Sequence, residues 1–253
     1  MPTPTSKPFT WIAGFLCCSF LPQANALDFH CMAFRGNYSG LHFQAGQDSD
    51  QPVEINEYGL SLKYSYNGPS PLVFFTRSVD QEGNVTRTPV AQLPFDPRYP
   101  KLLLIFYPNP SAQGTLNIYP IPSDDNSMPP GSFRVQNQTK LNVAMLLNGQ
   151  TYQFASGQYQ VVSPPPAERR TLEVEVVNET KSAGKEDDTP PETEKIEVAG
   201  SIPVQFAYQN EEKQWETFFK KKWLSRGDIR TFVFVYNIDG VLQLKNFVEI
   251  IGK

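Results

Sequence analysis

Catalysis and metal binding need nucleophiles, bases or ligands at workable spacing, and this chain is poor in them. It holds two histidines, His30 and His42, and three cysteines, Cys17, Cys18 and Cys31. His30 and Cys31 are neighbours, so on a strand they point to opposite faces and do not readily share a metal. A zinc site would also need a remote carboxylate. The serine elbow G-x-S-x-G and the phosphate-cradling glycine motifs are missing. The sequence therefore implies no catalytic residue, no cofactor and no metal site.

Weaker candidates remain. Asp48 with Asp50, Asp124 with Asp125 and Asp187 with Asp188 are acid pairs of the kind used for calcium or glycoside hydrolysis. Both roles need carboxylates held by a rigid frame. All three pairs lie in polar, turn-rich stretches, where aspartate serves turn chemistry alone. Tyr64, Tyr66, Trp215 and Trp223 are the candidate ligand contacts, as a stacking platform for sugars; the competing reading places them in the core. Lys220–Lys222 is read as a strand edge protected by lysine rather than a patch for an anionic polymer or membrane. N-x-S/T sequons occur at Asn37, Asn84, Asn137 and Asn178.

The elements that would position these residues read as strands. Leu60, Leu62, Tyr64 and Tyr66 alternate with polar residues, the period of a half-buried strand. Lys101–Tyr107 is a seven-residue apolar run between prolines, which has strand length and predicts a central strand. Leu27–Phe43 opens with apolar residues on both faces. From 129 to 165 the pattern predicts an antiparallel meander of four short strands. Asn148-Gly149 marks its sharpest turn, because both positions want positive φ. Asn67-Gly68 marks another tight turn, and Asp239-Gly240 another hairpin. Trp215–Trp223 fits a helical face as well as a strand face, and its hairpin-like neighbours favour strand. Residues 178–197 are charged, proline-containing and free of aromatics, so a disordered loop is expected there. Leu72–Phe75 with Leu102–Phe106, and Val204–Ala207 with Phe232–Tyr236, share a loose plan that hints at duplication.

Composition and leader bound the class. Lys7, the apolar run Trp11–Leu21 and Ala24-Asn25-Ala26 form an export signal with a small-x-small cleavage site. Removing those 26 residues of 253 leaves 227, enough for one large β domain or two small ones. Cys31 is then the only cysteine, so no intrachain disulfide is expected. The formal charge of −4 becomes −5 without Lys7, which argues against a nucleic-acid partner. Eighteen Phe and eleven Tyr among twenty-three Pro and sixteen Gly suit strands and turns. The expected organisation is a main β-sandwich over 27–166, with C-terminal strands over 167–253 as the same domain or a small second one.

Pro129-Pro-Gly-Ser-Phe-Arg-Val-x-Asn-x-Thr139, Asn148-Gly149, a second Ser-Gly before Val161-Val-Ser-Pro164, and later Trp215, Trp223 and Arg230–Phe234 resemble a pattern in uncharacterised exported bacterial β-sandwich proteins. The resemblance implies export and a β fold, and brings no activity. The expectation is an all-β protein, an antiparallel sandwich of immunoglobulin-like kind with few or no helices. It is exported to the periplasm, envelope or outside. Its expected role is a non-catalytic binding module for an unknown protein or glycan. The alternatives are a carbohydrate-binding or carbohydrate-active sandwich and a structural assembly component.

Overall fold

The computed structural model describes residues 26–46, 49–164, 170–175, 193–198 and 200–251. The described residues hold eighteen strands and no helix. No helix is long and apolar enough to cross a membrane among them.

The first eight strands build one sandwich. They are β1 (Leu27–Ala33), β2 (Tyr38–Gly46), β3 (Ser49–Ile55), β4 (Tyr64–Tyr66), β5 (Leu72–Val79), β6 (Val85–Leu93), β7 (Lys101–Pro108) and β8 (Leu116–Pro122). One sheet has the order β4-β1-β7-β8 and faces a second of order β3-β2-β5-β6. The period-two alternation puts Phe29, Cys31, Leu102, Leu104 and Phe106 of one sheet against Phe43, Val53, Leu72 and Phe74 of the other.

The remaining strands are β9 (Phe133–Asn137), β10 (Val143–Leu147), β11 (Gln150–Phe154), β12 (Tyr159–Val162), β13 (Arg170–Glu175), β14 (Thr193–Val198), β15 (Ser201–Gln209), β16 (Trp215–Leu224), β17 (Ile229–Ile238) and β18 (Val241–Ile250). Sheets of order β12-β9-β17-β18 and β11-β10-β15-β16 form a second sandwich. Its core holds Phe133, Val135, Met145, Phe154, Phe206 and Val233.

The two sandwiches have the same topology. Strands β1 to β4 take the places of β9 to β12, and β5 to β8 those of β15 to β18; the hairpin β13–β14 is an insertion in the second copy. Each copy has a parallel central pair, β1 with β7 and β9 with β17, flanked by antiparallel neighbours. A hydrogen bond of 2.8 Å follows each parallel pair at the same point, Phe34 N to Phe106 O and Gln138 N to Val235 O. This aligns Phe34 with Gln138, Tyr107 with Tyr236 and Lys101 with Arg230. The loosely matched segments of the sequence, in β5 with β15 and β7 with β17, occupy equivalent places.

The sheets that carry the parallel pairs also pack on each other. Met32, Leu103, Ile105 and Ile121 meet Phe232, Phe234 and Phe247, with Met128 from the linking segment, in a third core. The four four-stranded sheets thus stack so that the two middle layers are covered on both faces, with the β13–β14 hairpin as a separate two-stranded sheet. Covering both faces requires apolar residues without alternation, and β7 and β17 are buried along most of their length.

Several expectations change in detail. The 129–165 stretch has four strands, but they do not form a meander. Strands β9 and β12 pair in one sheet, while the β10–β11 hairpin lies in the facing one. Local alternation sets which face is buried and leaves the partner sheet open. Asn67-Gly68 likewise links strands of different sheets. Sheet membership changes across 123–132 rather than after 166. The segment expected to be disordered, 178–197, ends in β14, whose residues 193–198 form an antiparallel ladder with β13. A backbone ladder supports a strand even where composition is charged. The rest of that expectation, and the expected export signal up to Asn25, fall outside the described residues. Trp215–Leu224 is a strand, and Lys220–Lys222 lie on the outer strand of their sheet. Asn148 and Gly149, with φ of 47° and 82°, and Asp239 and Gly240, with 51° and 84°, make the expected hairpin turns.

Candidate functional site

The residues singled out as candidate contacts do not come together. Tyr64 and Tyr66 are buried in the first core. The Tyr64 hydroxyl accepts from Glu54 N at 3.3 Å, and the Tyr66 hydroxyl donates to Pro69 O at 2.7 Å. Trp223 stacks on Phe133 at 5.8 Å with the rings 9° apart, packed against the second core. Trp215 is exposed and lines a polar hollow of about 430 Å³ with Gln153, Gln158 and Gln209.

The described members of the acid pairs are engaged elsewhere. Asp50 pairs with Arg87, accepting from its Nε at 3.1 Å while Nη2 lies 2.9 Å from Oδ1. Asp124 closes its own turn: burial raises its carboxyl pKa, but the Ser127 hydroxyl and the Ser127 and Asn126 amides outweigh that and hold it below its ordinary value. Asp125 pairs with Arg230. Asp48, Asp187 and Asp188 are outside the described residues. Cys31 is fully buried, and desolvation pushes its thiol well above its usual range, so it offers no linking thiol.

What the fold does bring together lies along the seam between the sandwiches. One end of the seam is ionic. Glu249 pairs with Lys101 through Oε1 and with Arg230 through Oε2 at 3.4 Å, so the equivalent cations of the two copies share one carboxylate. His30 Nε2 lies 3.7 Å from the same carboxylate. Arg230 also donates from Nε to Met128 O at 2.5 Å. Arg230 and Glu249 are 0% and 3% exposed, which makes this a structural clamp rather than an open site.

The other end opens into a cleft. One cavity of about 660 Å³ is lined by Phe34, Arg35, the 138–141 segment, Tyr236 and Asn237. A second, about 240 Å³, shares Phe34 and Gln138 with it and adds Ile105, Tyr107 and Tyr119. The walls come from equivalent strand ends of the two copies, β1 and β7 on one side and β9 and β17 on the other. Phe34 meets Tyr236 edge to face at 5.2 Å. Lys245 sits over the Phe34 ring at 5.6 Å and donates to Phe34 O at 2.7 Å. Burial lowers the Lys245 ammonium pKa, and Glu57, 3.4 Å away, partly offsets this.

The 138–141 wall is held from within. Asn137, fully buried, donates from Nδ2 to Leu141 O (2.7 Å), Phe154 O (3.0 Å) and Ala155 O (3.1 Å). Its Oδ1 accepts from the Thr139 amide and hydroxyl, at 3.0 and 2.8 Å. The sequon at Asn137 is thus a bracket that positions the cleft. Sequence reasoning missed Phe34, Tyr107, Gln138 and Tyr236 as a group, because they stand in four separate strand ends with no local signature.

Among the described residues no group of three His, Cys, Asp or Glu side chains could hold a metal ion. No protein-family model matches the chain, and no curated protein is similar to it in sequence.

Proposed function

We propose that the protein is an exported, non-catalytic binding module that holds a glycan in the cleft between its two sandwiches. The observation that carries this reading is the cleft lining. Phe34, Tyr107, Tyr119 and Tyr236 offer aromatic surface for sugar C–H groups, while Gln138 and Asn237 offer amides for hydroxyls. Sites of this size are mostly apolar with a few placed polar groups. Neither cavity is lined by a carboxylate, and hydrolysis of a glycoside ordinarily uses two. Export rests on Lys7, the apolar run Trp11–Leu21 and Ala24-Asn25-Ala26; β1 starts at Leu27, one residue beyond that cleavage pattern.

The test is a glycan microarray probed with the wild type and with Tyr107→Ala/Tyr236→Ala. Binding by the wild type that the variant loses, with its β circular dichroism unchanged, supports the reading. Equal signals from both proteins, or silence of the wild type on every glycan, would overturn it. Export is tested by mass spectrometry of protein from a bacterial periplasm; a chain starting at Leu27 is expected, and an intact Met1 terminus refutes export.

A further inference from the structure

The cleft is polar in one sense only. We infer that its ligand is an acidic oligosaccharide, one that carries carboxylate or sulfate groups. This rests on the reading of the cleft as a glycan site and names the ligand class.

Three observations converge. First, Arg35 and Lys140 line the larger cavity, and among the described residues neither makes an ion pair within 4.0 Å. In a chain of net charge −4, two unpaired cations at one concavity run against the general balance. Clefts lined by one sign of charge concentrate ligands of the opposite sign. Second, the nearest acid is already committed. Glu57 accepts from Gly36 N at 2.7 Å and pairs with Lys245. The Gly36 bond is the main reason its carboxyl is held below its ordinary value, with Lys245 and Arg35 adding to it. Glu57 is therefore taken up by Lys245 and Arg35, and Lys140 adds a further cation to the cavity wall. Third, the smaller cavity presents a pre-set donor. Gln136 Nε2 donates to the Tyr119 hydroxyl at 3.1 Å, which leaves the tyrosine proton to be given to a ligand. Gln136 is itself buried, with its Oε1 unpartnered.

The combination distinguishes this ligand from its neighbours. A neutral glycan can only accept hydrogen bonds from Arg35 and Lys140, whereas an acidic one pairs with their charges. The half-buried rings of Phe34 and Tyr236 suit the apolar faces of pyranose rings. Arginine binds planar carboxylates and sulfates through paired N–H groups. Gln136 is a positioning residue in this account, acting through Tyr119.

The experiment uses the full mature chain and titration calorimetry with matched probes. The acidic probes are oligogalacturonate, for carboxylate, and a chondroitin sulfate oligosaccharide, for sulfate. The neutral control is the methyl-esterified oligogalacturonate, which keeps the shape and loses the charge. Binding of at least one acidic probe is expected, weakened about tenfold by Arg35→Gln and again by Lys140→Gln, the order of one charge-assisted contact each. Binding should weaken as salt rises. Tyr119→Phe should weaken binding without changing its salt dependence, a split that a merely structural role would not give. If the ester binds as tightly as the acid, the acidic ligand class is wrong and the glycan reading stands. If neither acidic probe binds while neutral glycans do, the result is the same. If no saccharide binds, or binding ignores Tyr107→Ala/Tyr236→Ala, both readings fall. Arg35 and Lys140 are exposed, so their variants fold; an unchanged melting temperature verifies this.

Discussion

Replacing Glu249 by Gln removes the one carboxylate shared by Lys101 and Arg230 while keeping its volume. The cost follows from which cation can escape. Lys101 is 23% exposed and can turn to water. Arg230 is fully buried and cannot. Asp125 remains as a counter-ion, but its carboxylate is 76% exposed, so solvent screens it. Stranding a buried charge costs about 3–5 kcal/mol. Because Asp125 and the Met128 carbonyl still hold Arg230, the lower end applies, about 3 kcal/mol. For a chain of this size, about 2–4 °C accompanies each kcal/mol, so Tm should fall by about 6–12 °C. Arg230→Met on its own leaves the carboxylate with Lys101 and should cost a similar amount. The double variant should cost about 2 kcal/mol less than the sum, since it leaves no stranded charge. Urea unfolding followed by tryptophan fluorescence measures all four proteins. If Glu249→Gln costs under about 1 kcal/mol, or the two changes add, the seam is not clamped by this pair and the reasoning is refuted.

Asn137→Ala should cost about 3 kcal/mol or more, since it removes one donor from each of three carbonyls and the acceptor of the Thr139 amide and hydroxyl in a buried bracket; chemical denaturation reads this, and a loss under about 1 kcal/mol would show that water replaces the side chain. In a host that glycosylates secreted proteins, peptide mapping should find no glycan at Asn137, whose amide is buried and engaged. The folded-state pKa of Asp124 is depressed below its ordinary 3.8, so its contribution is complete above that value and is lost as pH falls through the folded-state pKa. Asp124→Asn should therefore lower stability at neutral pH and flatten the acid limb below about pH 4, and a limb of unchanged slope contradicts this. Cys31 should resist maleimide in the native protein and react once urea unfolds it, as its burial and raised thiol pKa require; rapid native labelling would contradict its burial.

The sequence by itself determined the elements. Period-two alternation, the Asn148-Gly149 and Asp239-Gly240 turns and the proline punctuation are local chemistry, and they specify strands and an all-β class. They also expose the central strand Lys101–Tyr107, because a run without alternation must be covered on both faces. Its counterpart in β17, Phe232–Tyr236, carries the same signal, which is how a hint of duplication reached the sequence level.

Tertiary structure alone decided what each buried face meets. Alternation says that Phe133 and Val135 point inward; it does not say that β9 pairs in parallel with β17, about a hundred residues later in the chain. Tyr64 and Tyr66 illustrate the same limit. An aromatic on a half-buried strand serves equally as core or as platform until its covering layer is known, and here the second sheet covers both. The cleft is the strongest case. Phe34, Tyr107, Gln138 and Tyr236 are unremarkable where each stands in the chain. They converge only because two copies of one topology pack through the sheets that carry their parallel pairs, so that equivalent strand ends open at the same end of the seam. Burial patterns are written residue by residue, whereas a concavity between layers belongs to the packing of the whole.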